Sequence, residues 1–168
     1  ASQSFDISIW QLFAALTVGG MVIIYPDYIS TDINNLCEHI RGDYVTILEL
    51  VPTMIQELLS LQSNNIGKLR YLLSTGEILN IELALRFIEA YPNITLINAY
   101  GPTEASDDIT HYVVDRNELI RSVPVGKPIR NMKIFIFDSY WNQTPIGVPG
   151  EICVTGLGVG KGYYNDEI

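Results

Sequence analysis

The chain has 168 residues, 48% of them apolar and 17% charged, with a formal net charge of −9. That length can bury a core of its own, and that balance suits a packed α/β chain rather than a disordered one. The acidic balance excludes nucleic acid and anionic membrane as expected partners, since both require basic surface.

Taken in order, Ile7 to Leu16 reads as a helix, with Ser4 or Asp6 as N-cap and Gly19-Gly20 as its stop. Met21-Val22-Ile23-Ile24-Tyr25 is a β-branched apolar run closed by Pro26, which predicts a buried strand. Thr31 or Asp32 then caps a helix whose stripe is Ile33, Leu36, Cys37 and Ile40, spaced for one helical face. Val45 to Leu50 is the next predicted strand. Pro52, favourable in a first turn, starts a helix carrying Met54, Ile55, Leu58 and Leu59. Leu69 to Leu73 is a third strand, Leu79 to Tyr91 a third crossover helix ended by Pro92, and Thr95 to Ala99 a fourth strand. Strands alternating with helices of about three turns predict βαβ units and a mostly parallel sheet.

After Glu104 the helical period disappears and Gly, Pro and Asn become frequent. Met132 to Phe137 and Glu151 to Val154 read as strands joined through Pro145-Ile146-Gly147-Val148-Pro149-Gly150. The expected fold class is therefore α/β, a mostly parallel βαβ layer over residues 1–110 followed by the start of a β-rich subdomain over 111–168. Cys37 and Cys153 sit in apolar contexts and read as buried thiols; no Cys/His metal spacing occurs, and His39 and His111 are far apart. No apolar run reaches membrane-spanning length and no signal peptide opens the chain, so a cytoplasmic location is expected. The glycines at 156, 158, 160 and 162 follow a strand, but Tyr163-Tyr164-Asn165 opens no helix of the kind a dinucleotide loop needs.

The densest chemistry lies in Asn98-Ala99-Tyr100-Gly101-Pro102-Thr103-Glu104, delivered to a strand end by Thr95-Leu96-Ile97. Strand ends of open α/β sheets are where ligands bind. Tyr100 offers a flat face for a base and Thr103 a donor for a phosphate oxygen. Glu104 offers the hard oxygen that Mg²⁺ takes alongside substrate phosphates. The plain alternative is a Gly-Pro turn with a solvated glutamate.

This run resembles the Asn-x-Tyr-Gly-Pro-Thr-Glu motif of the adenylation domains of non-ribosomal peptide synthetases, within the adenylate-forming enzymes. Two further motifs stand in family order: Phe5-Asp6-Ile7-Ser8-Ile9-Trp10, similar to Phe-Asp-x-Ser, and Gly150 to Gly158 continuing to Gly162-Tyr163, similar to the family's Gly-Glu-Leu segment. Val123 to Ile129 looks like the connector between the last two, and Gly160-Lys161 replaces the usual Ala-Arg. The likeness covers essentially the whole chain. It implies ATP and Mg²⁺ as cofactors, phosphopantetheine on a partner carrier protein, and condensation domains in the same synthetase. The family's phosphate loop and C-terminal lysine domain are expected outside this chain, which is therefore expected to be an excerpt that does not turn over alone.

Carried over position by position, the resemblance implies that Asp6 pairs with a substrate α-ammonium. It places Ile7, Trp10, Glu49, Leu73, Thr75, Ala99, Asp107 and Asp108 around the substrate side chain. It gives Gly76, Glu77, Asn98, Ala99, Tyr100, Gly101 and Thr103 to the nucleotide, Thr103 and Glu104 to catalysis, and Glu104 to the metal. Structurally, Asp6 also reads as a helix cap and Glu49 as a strand-end acid turned to solvent. Glu49, Asp107 and Asp108 in an otherwise apolar frame would select a small cationic side chain, with Trp10 shortening the pocket and offering a ring face to an ammonium. The resulting string resembles pocket signatures for 2,4-diaminobutyrate. Two rivals remain: an acyl- or aryl-CoA ligase of the same superfamily, which has no α-ammonium for Asp6 to meet, and a non-catalytic binding module.

Overall fold

The structure is a computed structural model describing residues 1–61, 65–118 and 121–165. It divides into two compact units interleaved along the chain: 1–22, 100–110 and 127–168 in the first, 23–99 and 111–126 in the second.

The second unit is the βαβ layer. Strands β1 (Ile47–Leu50), β2 (Tyr71–Ser74) and β3 (Thr95–Tyr100) are parallel and in register, with Glu49 opposite Leu73 and Leu73 opposite Ile97. The sheet order is β1-β2-β3-β4-β5, where β4 is Thr110–Val113 and β5 is Lys127–Pro128. One helix that precedes β1 and two crossover helices carry the apolar stripes that cover the layer. In α3 (Ile33–Gly42), the Asp32 carboxylate accepts from the Asn34 and Asn35 amides, and Ile33, Leu36, Cys37 and Ile40 are all buried. Helix α4 (Pro52–Ser60) starts on Pro52 and buries Ile55 and Leu58. Helix α5 (Ile81–Ala90) is capped by Asn80, whose side chain accepts from the Leu83 amide at 2.8 Å, and it buries Leu83, Ala84 and Phe87. With Leu72 and Leu96 from the sheet, these side chains form one continuous core. Burial pushes the Cys37 thiol up, as expected of an inert core cysteine.

The first unit is built differently. Helix α1 (Ile7–Thr17) is capped by Asp6 and buries only Ser8, leaving Ile9, Phe13 and Leu16 exposed. Strands β6 (Met132–Phe137) and β7 (Glu151–Gly156) pair antiparallel, Met132 opposite Gly156 and Phe137 opposite Glu151. Its core is small: Ala105, Ile109 and Met132, with Ile129, Ile134 and Val154 against them.

The strand expected at 21–25 does not form: residues 20–26 have no regular structure, and a one-turn helix, α2 (Asp27–Ser30), follows. Met21 and Ile24 are exposed there. An apolar run becomes a strand only when a partner takes its backbone hydrogen bonds, and the segment has no ladder partner among the described residues. Conversely, β4 and β5 were not marked by periodicity; β4 reads Thr-His-Tyr-Val and β5 is two residues long. No described helix is long and apolar enough to cross a membrane.

Candidate functional site

In the second unit, the C-terminal ends of β1, β2 and β3 bring several predicted residues to one sheet edge. Glu49, half-buried, lies beside Leu73, which is buried on β2. Ser74 and Asn98 are opposite each other and both buried. Thr75 extends the ladder by one bond, its amide donating to the Leu50 carbonyl at 3.3 Å. Gly76 then turns with φ +78°, a left-handed conformation that costs glycine little. Asn98 donates through Nδ2 to the Pro124 carbonyl at 2.8 Å, so its amide fastens the end of β3 to the 123–126 segment. Ala99 is buried one residue further on.

In the first unit, Asp6 uses its two oxygens differently. Oδ1 accepts from the Ile7 amide at 3.0 Å, capping α1, while Oδ2 is buried with no hydrogen-bond partner. The cap reading is thus correct for one oxygen. Ile7 and Trp10 follow on the first turns of α1, both half-buried.

The motif that ends β3 forms a closed turn. The Ile109 amide donates to the Tyr100 carbonyl at 2.8 Å, and Thr103–Ala105 is a single 3₁₀ turn. Ser106 and Asp107 both adopt positive φ, +62° and +78°, which reverses the chain before buried Asp108. Gly101 is dictated by this closure: a Cβ there would overlap the Asp107 carbonyl oxygen. Tyr100 is 40% exposed. Thr103 and Glu104 are exposed.

The glycine-rich segment after β7 binds this turn. The Gly160 amide donates to the Glu104 carbonyl at 2.7 Å, and the Ser106 hydroxyl donates to the Gly158 carbonyl at 2.6 Å. A Cβ on Gly158 would come within 2.9 Å of the Ala105 carbonyl oxygen, so the glycine permits the close approach. The Tyr163 hydroxyl donates to Glu104 Oε1 at 3.1 Å, and that bond and the carboxylate's charge push the Tyr163 pKa up. Sequence reasoning placed these glycines and Tyr163 in the third family motif but assigned them no contact with the Tyr100–Glu104 turn. One Glu104 oxygen is thereby oriented by a phenol. The carboxylate remains exposed at a strand end, a donor set that fits Mg²⁺ shared with substrate phosphates.

Comparison with known proteins follows the same residues. The sequence profile of the family described as AMP-binding enzymes matches residues 1–164. Zwittermicin A synthase ZmaJ of Bacillus cereus is 35% identical over 171 residues, covering 96% of this chain and 33% of that protein. Tyrocidine synthase 3 of Brevibacillus parabrevis is 32% identical over 165 residues, covering 98% of this chain and 2% of that protein. Among solved structures, PA1221, a synthetase protein containing adenylation and carrier (PCP) domains, superposes with a TM-score of 0.87 at 28% identity, over 99% of this chain and 34% of its own. The non-ribosomal peptide synthetase FmoA3 in its AMPPNP-bound form gives 0.90 at 26% identity, over 99% of this chain and 18% of its own. The chain thus spans about a third of the length of ZmaJ and of PA1221.

Proposed function

The chain belongs to the AMP-binding enzyme family, and we propose that it forms the middle of a peptide-synthetase adenylation domain that activates an amino acid with ATP. In that reaction a carboxylate oxygen of the amino acid attacks the α-phosphorus. An O–P bond forms, the bond to pyrophosphate breaks, and aminoacyl-AMP results. A phosphopantetheine thiol on a carrier domain then attacks the acyl carbon, yielding a thioester and AMP. Residues 1–110 hold the amino-acid pocket and nucleotide motif in this reading, and 111–168 begin a β-rich subdomain.

The observation that carries the amino-acid reading is the buried Oδ2 of Asp6, which has no hydrogen-bond partner. A buried carboxylate oxygen demands a cation or a donor, and a substrate α-ammonium supplies both. An acyl-CoA ligase would have no such group to offer. Tyr100 stacks on adenine with its ring, and Thr103 donates to the α-phosphate. Asn98, Ala99 and Gly101 shape the nucleotide edge, and Gly76 and Glu77 lend main chain to the adenine wall. Glu104 would hold Mg²⁺, which when bound neutralises charge on the phosphates. The chain's own contribution is positioning and fixed electrostatics, the usual source of rate in such transfers.

For the substrate side chain, the family resemblance supplies three carboxylates, Glu49, Asp107 and Asp108, with Ile7, Trp10, Leu73, Thr75 and Ala99 as the remaining positions. That set favours a small cation such as 2,4-diaminobutyrate or ornithine. The carrier and condensation domains of one cytoplasmic synthetase are the proposed partners. The test is a substrate panel in amino-acid-dependent ATP–pyrophosphate exchange by the complete domain. Small diamino acids should lead, and Glu49→Gln should cost them most, by up to roughly 3–5 kcal/mol in a dry pocket. A neutral or acidic amino acid winning the panel would overturn the pocket assignment.

A further inference from the structure

The entrance to α4 is held by a residue from another loop. Its N-cap, Val51, has no side chain able to accept a hydrogen bond, and Pro52 at the first position has no amide hydrogen to satisfy. The first free amide, that of Thr53, donates instead to Glu77 Oε2 at 3.2 Å, and the Thr53 hydroxyl donates to Glu77 Oε1 at 3.1 Å. Both oxygens of Glu77 are therefore engaged at the positive end of a helix, where a carboxylate is favoured. Gly76 makes the reach possible: its left-handed φ of +78°, a conformation that costs glycine little, swings the chain back.

These bonds join the start of α4 to the loop that leaves β2 at the same edge of the sheet. With the Thr75 amide on the Leu50 carbonyl at 3.3 Å, three hydrogen bonds tie the end of β1 and the start of α4 to the β2–α5 loop. Glu49 lies four residues before Thr53, and Thr75 two residues before Glu77. We infer that Glu77 and Thr53 are a positioning pair that sets the amino-acid side of the pocket by fastening the β2–α5 loop, which carries Thr75, to the start of α4, just beyond the end of β1 that carries Glu49. The inference rests on the reading that Glu49 and Thr75 face the substrate side chain. It assigns the Glu77 carboxylate to the amino-acid end of the site, whatever its main chain contributes to the nucleotide.

The complete adenylation domain provides the test, through separate KM values for amino acid and ATP in pyrophosphate exchange. Misplacing a binding group by a fraction of an ångström to an ångström is costly. Thr53→Ala should raise the amino-acid KM by about tenfold while the ATP KM stays within about twofold, and Glu77→Ala should raise the amino-acid KM at least as much. The double variant should be no worse than Glu77→Ala, because the two side chains act through one contact, and Thr53→Ser, which keeps the hydroxyl, should recover near-parental values. A rise confined to the ATP KM, fully additive effects, or lowered thermal stability with both KM values unchanged would each overturn the pair. Glu49→Gln separates the two levels. If it leaves the amino-acid KM unchanged, the pocket reading falls and the pair with it; if it raises the KM while the pair variants do not, only the pair falls.

Discussion

The two units are held together by different physics. Between Ile23 and Ala99 the chain relies on apolar burial, with Ile55, Leu72, Leu96 and Phe87 all essentially inaccessible. Around the Tyr100–Glu104 turn the apolar cluster found among the described residues is small: Ala105, Ile109 and Met132. There the shape is set by backbone hydrogen bonds from Gly160 and Ile109 and by glycines that admit close approach. A packed layer tolerates little loss of volume but does not need any one polar atom. A turn that presents Thr103 and Glu104 depends on individual atoms and little on volume. On the proposed reading, stability and chemistry therefore reside in separate residues.

Substitutions can break or sharpen that contrast. The largest stability loss is expected for Phe87→Ala, a fully buried ring at the centre of the helix–sheet core. Chemical denaturation of the complete domain should show about 3–5 kcal/mol lost, with the KM values of the still-folded fraction unchanged. Gly101→Ala should cost less stability, about 1–3 kcal/mol by overpacking, yet abolish most exchange activity, because the added methyl displaces the Asp107 backbone. A Gly101→Ala domain as active as its parent would erase the distinction between the units.

The smallest effect concerns the β6–β7 connection. Asp138 accepts from the Asn142 amide at 2.9 Å and the Tyr140 amide at 2.8 Å, and these bonds, Asn142's first, hold its carboxyl below the usual carboxylate range. A depressed folded value means the contribution is present above about pH 4 and is lost as pH falls through the lower folded value. The stability gap between the parent and Asp138→Ala should therefore narrow on acidification. A gap that widens below about pH 4 would contradict this.

Much of the layer was legible in the sequence because its signals are local. The stripe Ile33, Leu36, Cys37, Ile40, the cap at Asp32 and the proline at 52 each act within one helix, and each forms as expected. The apolar run at 21–25 misled because a strand is made by its partner, which composition does not reveal. The contacts that shape the site are equally non-local. Thr53 and Glu77 are 24 residues apart, and Glu104 and Tyr163 are 59 apart. No periodicity links such pairs. The motifs singled out Asp6, Tyr100 and Glu104 by resemblance, while the difference between the two oxygens of Asp6, one capping α1 and one buried without a hydrogen bond, emerged only from the fold.

The central claim is that the turn at the end of β3 carries the chemistry and contributes little to stability, and Glu104→Gln in the complete domain addresses it most directly. Amino-acid-dependent ATP–pyrophosphate exchange should be measured at limiting Mg²⁺, alongside the thermal midpoint of the same preparation. The substitution removes a full charge while keeping size, and losing one well-placed electrostatic group costs about 3–4 kcal/mol of transition-state stabilisation. The account predicts a fall of two orders of magnitude or more in exchange, on the order of that loss, with the midpoint unchanged. Undiminished exchange at limiting Mg²⁺ would contradict it and leave Glu104 a turn residue held by Tyr163.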